Sequence, residues 1–328
     1  MLRAGLRAAE TPYTWAVRWR NHRYATGGAP IHRVGVPVVS VGNLTLGGTG
    51  KSPMIEWLAR WFYDRNVAVA VVSRGYGSLA GQSNDEAQEL DWKLPGIVHV
   101  QNPDRVAAAR KAVDDFHSRL ILLDDAFQHR RIARDLDIVL LDALEPFGLG
   151  HVFPRGTLRE PAEGLGRAQV VVLSRSDMLS PADREAIRRR VEAYAPEALW
   201  LEATHAPQAL VSADRSESPI GSLAGRRVAA FCGIGNPAGF RHTLAVCGYD
   251  VVDFREFPDH HVYSSRDLDA VADAARRADA VAIVCTLKDL VKVRFERLAD
   301  CPLRAVRVGL EISAGREAFE ARLAVLVP

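Results

Sequence analysis

Lys51 closes a run of small residues, Gly47-Gly48-Thr49-Gly50-Lys51-Ser52, between a β-branched stretch (Val36 to Val41) and an amphipathic one (Ser52 to about Arg65). Glycines placed between a strand and a helix let backbone N–H groups wrap around phosphate, and the helix N-terminus adds a favourable dipole. A lysine entering the helix reaches the β- and γ-phosphates, and the serine after it can hold Mg²⁺. The strict form of such a loop carries glycine five positions before Gly50, where Thr45 stands, so the nucleotide-binding segment is read as Thr45-Leu46-Gly47-Gly48-Thr49-Gly50-Lys51-Ser52. Only Lys51, Lys93, Lys111, Lys288 and Lys292 are lysines among the 42 basic residues. A lysine at this one place suits a compact phosphate-binding charge.

Phosphoryl transfer also needs a carboxylate at the end of a nearby strand to hold Mg²⁺ or its water. Asp124 and Asp125, after Leu120-Ile121-Leu122-Leu123, meet that description, and adjacent carboxylates would repel unless a cation sits beside them. Asp142, ending the next apolar run, is the weaker rival. Ser174-Arg175-Ser176-Asp177 falls where GTPases read guanine, but the asparagine or threonine and the lysine of that motif are both replaced. The residues alone leave open a small-molecule kinase, a P-loop GTPase or ATPase serving as a maturation switch, and a nucleotide-binding scaffold without turnover.

Short apolar runs alternate with helical ones over most of the chain. Strands are expected at Val36–Val41, Val67–Val72, Ile97–Val100, Leu120–Leu123, Ile138–Leu141 and Val170–Leu173, with helices between several of them. This alternation predicts an α/β protein with a parallel sheet covered on both faces. A Ser/Ala/Pro/Gly-rich stretch at 204–225 reads as a linker, followed by a shorter β/α series from Val228. At 328 residues two domains are expected, 1–205 with the phosphate loop and 206–328 smaller.

Forty-two basic against 40 acidic residues leave a net charge of +2, which speaks against a polybasic nucleic-acid binder. The four cysteines, Cys232, Cys247, Cys285 and Cys301, form no CxxC pair and read as reduced thiols of a cytosolic protein. No apolar window is long enough to span a bilayer. The first 28 residues differ in kind, with Arg3, Arg7, Arg18, Arg20 and Arg23 against Glu10 alone, interleaved with Tyr13, Trp15 and Trp19. That pattern fits an amphipathic helix lying in a membrane interface. It equally fits a helix packed on the domain with solvated arginines.

VSVGNLTLGGTGKSP, SRGYG (Ser73 to Gly77), DDAFQHR (Asp124 to Arg130), FPRGTLREP (Phe153 to Pro161), FPDHH (Phe257 to His261) and TLKD (Thr286 to Asp289) occur in that order. Together, from about residue 30 to about 295, they closely resemble the tetraacyldisaccharide 4′-kinase family, the lipid A 4′-kinases of Gram-negative bacteria. The resemblance implies a P-loop NTPase-like domain hinged to a second, smaller α/β domain. It implies transfer of the ATP γ-phosphate, with Mg²⁺, to the 4′-hydroxyl of a lipid disaccharide 1-phosphate. It also implies a peripheral, monomeric enzyme on the cytoplasmic face of the inner membrane.

The same resemblance carries roles onto residues. Asp85, in Ser83-Asn84-Asp85-Glu86 where Asn84 replaces the usual glycine, and His260 after Asp259 are implied to activate the acceptor hydroxyl. Lys51, Arg105 and Arg159 are implied near the transferring phosphate. Ser52, Asp124, Asp125 and Glu160 are implied to hold the metal. Arg74, in the loop after a strand, is by its own position a candidate for the substrate phosphate or for a structural ion pair. TLKD departs from the commoner TEKD at Leu287. Asp85 on the first domain and His260 on the second would bring the base together only on closure.

Overall fold

The computed structural model describes residues 2–75, 85–259 and 261–327, with the side chains of residues 2–4 and 85–88 left aside. The chain divides into two compact units. One comprises Met1–Tyr76, Leu94–Thr204 and Glu311–Pro328; the other comprises Gly77–Lys93 and His205–Leu310.

The first unit is built on apolar runs of four to seven residues: β1 (Val38–Asn43), β2 (Val69–Ser73), β3 (Val98–Gln101), β4 (Leu120–Asp124), β5 (Leu136–Asp142) and β6 (Val170–Ser174). The first residues of β7 (Leu199–Val211) add a further strand, giving the spatial order β7-β6-β5-β1-β4-β2-β3. Every pairing along this path is parallel. A parallel sheet is covered on both faces, which is why these strands are continuously apolar rather than alternating. By register one face carries two clusters side by side, one around Leu44, Phe127, Leu141 and Leu173 and one around Val72, Val106, Ile121 and Leu123.

Helix α2 (Lys51–Tyr63) falls on the amphipathic stretch after the glycine run, α4 (Arg105–Asp114) lies between β3 and β4, and α5 (Pro181–Glu192) follows β6. Local chemistry sets two of their starts. Asp104 accepts the N–H groups of Val106 and Ala107 ahead of α4, and Ser180 caps α5, which opens on Pro181. The C-terminal α9 (Arg316–Ala324) also belongs to this unit, where Phe319 is fully buried and stacks on Trp57 with ring centroids 5.5 Å apart.

Helix α1 (Leu2–Ala25) is tied to the same unit at several points. The Glu10 carboxylate accepts the Val152 N–H at 3.1 Å and pairs with Arg155 at 3.3 Å. Tyr13 donates its hydroxyl to the Arg159 carbonyl, and Asn21 donates to Glu160 at 2.8 Å. Trp15 and Trp19 remain 69% and 53% exposed, so the packed face leaves the tryptophans outward. No helix among the described residues is long and apolar enough to cross a membrane.

The second unit repeats the alternation: α3 (Asp85–Lys93), β8 (Glu217–Pro219), β9 (Arg227–Cys232), α6 (Pro237–Val246), β10 (Asp250–Glu256), α7 (Ser265–Arg277), β11 (Ala282–Thr286), α8 (Leu287–Val293), β12 (Arg297–Leu298) and β13 (Cys301–Ala314) as far as Leu310. Strands β10-β9-β11-β13 run parallel in that order, with β12 antiparallel to β13 and β8 antiparallel to β7. The stretch read as a linker at 204–225 is instead the end of β7, strand β8 and a short turn. Its mixed composition hides the strand because β7 is half-buried along 204–207 and carries Pro207.

Candidate active site

In the first unit, β1 delivers the phosphate loop to the head of α2. Gly47 and Gly50 adopt φ of +110° and +89°, the left-handed region that favours glycine. A Cβ added at Gly47 or Gly48 would meet nothing within 4 Å, so the loop has room beside its backbone. The loop is braced from behind. Leu46 N–H donates to the Thr157 carbonyl at 2.8 Å, and Arg159 N–H donates to the Leu44 carbonyl at 2.7 Å. Ser174 donates its hydroxyl to the Thr49 carbonyl at 2.8 Å, and Arg175 donates to the Gly48 carbonyl at 3.2 Å while pairing with Asp142 at 2.5 Å.

Gly42, just before the loop, lies against Phe127. A Cβ there would stand 2.6 Å from the Phe127 Cβ and 2.7 Å from its backbone nitrogen. Gly42→Ala is expected to destabilise the fold by about 1–3 kcal/mol or more, measured by denaturant unfolding, because the obstruction includes backbone.

Sheet register brings the carboxylates to the loop: β4 pairs with β1 so that Asp124 stands opposite Val41. Asp125 follows with φ +49°, a left-handed aspartate. One terminal nitrogen of Arg159, Nη1, donates to both of its carboxylate oxygens, at 2.8 and 2.9 Å, and the carboxylate faces the Lys51 ammonium at 3.6 Å. Burial alone would raise the Asp125 carboxyl, but Lys51 and Arg159 outweigh it and hold it below the usual carboxylate range. Arg105 is buried and donates to the Asp124 carbonyl at 3.4 Å. Lys51, Arg105, Asp124, Asp125 and Arg159 are therefore one connected cluster.

Glu160 is used differently. It is fully buried, and its carboxylate accepts from Gln128 at 3.0 Å, Arg167 at 2.8 Å and Asn21 at 2.8 Å. Gln128 also donates to the Asn43 carbonyl at 2.9 Å, so this network links α1 to the base of the phosphate loop.

His129, from the same DDAFQHR segment, is pushed down to about 4 by burial and by the cations of Arg105, Arg134 and Arg131. The unfolded chain binds this proton below about 6.5 while the folded chain refuses it until about 4. Stability is thus lost as pH falls through that window and is unaffected above it. A His129→Gln variant is expected to flatten the slope of unfolding free energy between those pH values, read from urea midpoints across the range.

The residues present fit a triphosphate with a hard cation. The glycine surface is open, the buried Thr49 hydroxyl and Asn43 side-chain amide have no hydrogen-bond partner among the described residues, and Ser52 enters α2 beside Lys51. Among the described residues no three His, Cys, Asp or Glu side chains gather into an all-protein metal cage. Mg²⁺ is typically held by one or two carboxylates and substrate phosphates instead.

The acceptor-activating pair is placed less fully. Asp85 begins α3, its side chain lying outside what is described, and His260 lies outside the described residues. Residues 85–93 belong to the second unit, together with 205–310, rather than to the first as expected. The reason is packing: Trp92 joins the core of the second unit, and Arg215 lies over its ring at 5.0 Å. Asp85 and position 260 thus fall within the same unit. Arg74 is exposed at the end of β2 in the first unit.

Around position 260 the flanks are firmly held. Asp259 pairs with Lys288 at 3.3 Å, and the His261 ring stacks on Phe257 and meets Asp267 at 3.2 Å. Asp289 is fully buried, and burial raises its carboxyl against the hydrogen bonds of Thr286, Tyr263 and Gly233.

Sequence reasoning missed the bracing roles of Ser174, Arg175 and Gln128. The signal for the first two was their place at a strand end in a parallel sheet, where sites collect; weighing them as guanine readers obscured it. Arg175 has φ +55°, which turns its side chain back to Asp142 and the loop.

The family profile described as Tetraacyldisaccharide-1-P 4′-kinase matches residues 2–327. A protein of Anaeromyxobacter dehalogenans named tetraacyldisaccharide 4′-kinase is 40% identical, covering 98% of this chain and 90% of its own length. One of the same name from Chlorobaculum parvum is 35% identical over 97% and 93%. A crystal structure of the "apo" form of LpxK from Aquifex aeolicus in complex with ATP superposes with a TM-score of 0.78 at 26% identity, covering all of both chains.

Proposed function

We infer that this chain, which belongs to the tetraacyldisaccharide-1-P 4′-kinase family, transfers the γ-phosphate of ATP to the 4′-hydroxyl of a tetraacylated glucosamine disaccharide 1-phosphate. The single observation that carries the site reading is the cluster at the phosphate loop, where Lys51 and Arg159 converge on Asp125 at 3.6 and 2.8 Å. The first unit handles the nucleotide. The second carries the groups proposed to act on the acceptor.

The loop Thr45 to Ser52 presents backbone N–H groups to the phosphates, and Lys51 supplies a compact positive charge to their outer oxygens. Arg105 and Arg159 add fixed charge where negative charge builds during transfer. Ser52 and the carboxylates Asp124 and Asp125 would hold Mg²⁺, which would supply positive charge to offset that of the phosphates. Glu160 supports this role indirectly, by fixing Gln128 and the loop base. A sugar hydroxyl is a poor nucleophile, and Asp85 with His260 takes its proton as the phosphoryl group moves. Asp85→Ala and His260→Ala are each expected to lower turnover by about 10²-fold or more. Near-wild-type turnover in either removes that residue from the mechanism.

The acceptor is a lipid, and α1 supplies a means of meeting it. Its Trp15 and Trp19 are exposed beside arginines, a chemistry suited to the headgroup region of an anionic bilayer. The enzyme is thereby proposed to work peripherally on the cytoplasmic face of the inner membrane. Flotation with anionic vesicles at low salt, weakened at high salt, is the expected result; absence of flotation at both refutes membrane docking through α1.

The direct test of function is incubation with γ-labelled ATP, Mg²⁺ and the lipid disaccharide 1-phosphate, followed by chromatography of the lipid. Label on the lipid is expected. Hydrolysis indifferent to lipid would favour the nucleotide-switch reading instead.

A further inference from the structure

Three strand-end loops of the second unit meet on one buried carboxylate. Asp289, in the first turn of α8 after β11, has no solvent exposure. Its Oδ1 accepts the Tyr263 hydroxyl at 2.8 Å and the Gly233 N–H at 3.1 Å, and its Oδ2 accepts the Thr286 hydroxyl at 2.6 Å. Gly233 follows β9, Tyr263 lies between β10 and α7, and Thr286 ends β11. A buried carboxylate is costly unless its lone pairs are satisfied, and once satisfied it fixes the geometry of every donor it holds.

The loop that this junction holds is the one on either side of position 260. Tyr263 packs edge-on against Phe257 and His261, with ring centroids 5.2 and 5.0 Å apart. Lys292, one turn beyond Lys288 on α8, donates to the His261 carbonyl at 3.4 Å, while Lys288 pairs with Asp259. Gly233 leaves no slack on the opposite side: a Cβ there would stand 2.9 Å from the Tyr263 hydroxyl and 3.3 Å from both the His261 Cβ and the Pro258 carbonyl oxygen. Helix α3, which opens on Asp85, also packs on α8. One short helix thus braces the flanks of position 260 and carries the helix of Asp85.

We propose that Asp289 and Tyr263 are positioning residues for acceptor activation, holding the stretches on either side of position 260 in register for the acceptor hydroxyl. This rests on the reading of His260 as part of the base. Small misplacements of a reacting group cost large factors in rate, on the order of 10² for about 1 Å, and leave binding of the substrates nearly intact.

The test is a double-mutant cycle on kcat in the full chain with saturating ATP, Mg²⁺ and lipid disaccharide 1-phosphate. Tyr263→Phe keeps the ring packing and removes only the hydroxyl. It is expected to lower kcat by roughly 10-fold with both KM values within about twofold. In a His260→Ala background the same change is expected to have no further effect, because there is no imidazole left to position. A merely structural hydroxyl would instead lower the melting temperature and leave kcat per folded molecule unchanged, which overturns the proposal. So do losses that multiply in the double variant while His260→Ala alone is impaired; the base assignment then survives. Full turnover in His260→Ala alone overturns both. Gly233→Ala, whose added Cβ would press on the Tyr263 hydroxyl and the His261 side chain and so displace the loop, serves in the same cycle should Tyr263→Phe not fold, with the same expectations.

Discussion

Lys51→Ala is expected to lower kcat/KM for ATP by about 10³-fold, the upper range for removing one preorganised charge from a phosphoryl-transfer site, or about 4 kcal/mol of transition-state stabilisation. The ammonium stands 3.6 Å from Asp125 and enters the helix directly after the left-handed Gly50. Its loss removes the ammonium at the end of the phosphate loop and leaves Asp125 to Arg159 and, less strongly, Arg105. Equilibrium binding of ATP is expected to weaken as well, since the same charge meets the ground-state phosphates. Lys51→Arg is expected to rescue little, because a planar guanidinium is bulkier than an ammonium and its donors point differently. The measurements are label transfer to lipid and nucleotide titration of the same preparations. Unchanged affinity in Lys51→Ala would remove the loop from nucleotide binding.

Asp125→Asn isolates charge from shape. Asparagine tolerates the left-handed backbone that Asp125 adopts, so φ of +49° is no obstacle to the substitution. What disappears is the anion that Arg159 grips with two bonds and Lys51 faces. Turnover is expected to fall by roughly 10²- to 10³-fold at ordinary Mg²⁺, with the Mg²⁺ dependence shifted to higher concentration. The carboxyl is held ionised by those cations, so no loss of activity in the wild type from its protonation is expected near neutral pH. An unchanged Mg²⁺ dependence in Asp125→Asn, with turnover preserved, would take this carboxylate out of metal binding.

Much of the site was legible without coordinates. The glycine-rich loop and DDAFQHR announce themselves because their chemistry is local: glycines at left-handed positions, a lysine opening a helix, carboxylates closing an apolar strand. The strands from Val38 to Ser174 were legible for the same reason, since a strand buried on both faces must be apolar throughout. The long β7 and β13 were not. Their half-buried patterns, with Pro207 and Pro302 inside them, resemble loop composition.

Residue types and their order along the chain by themselves determined a glycine-rich loop between strand and helix, paired carboxylates after a later apolar strand, and an α/β fold. Tertiary structure alone decided how the groups are spent. It gave Asp125 to Arg159 and Lys51, buried Glu160 among Gln128, Arg167 and Asn21, and used Arg175 to brace the loop. It also placed α3 with the second unit and α9 with the first. The physical reason is range. Backbone conformation and helix starts follow from neighbours in sequence, whereas the partner of a charge is set by which strands lie side by side, and residues 34 apart, such as Asp125 and Arg159, meet only once the sheet has formed.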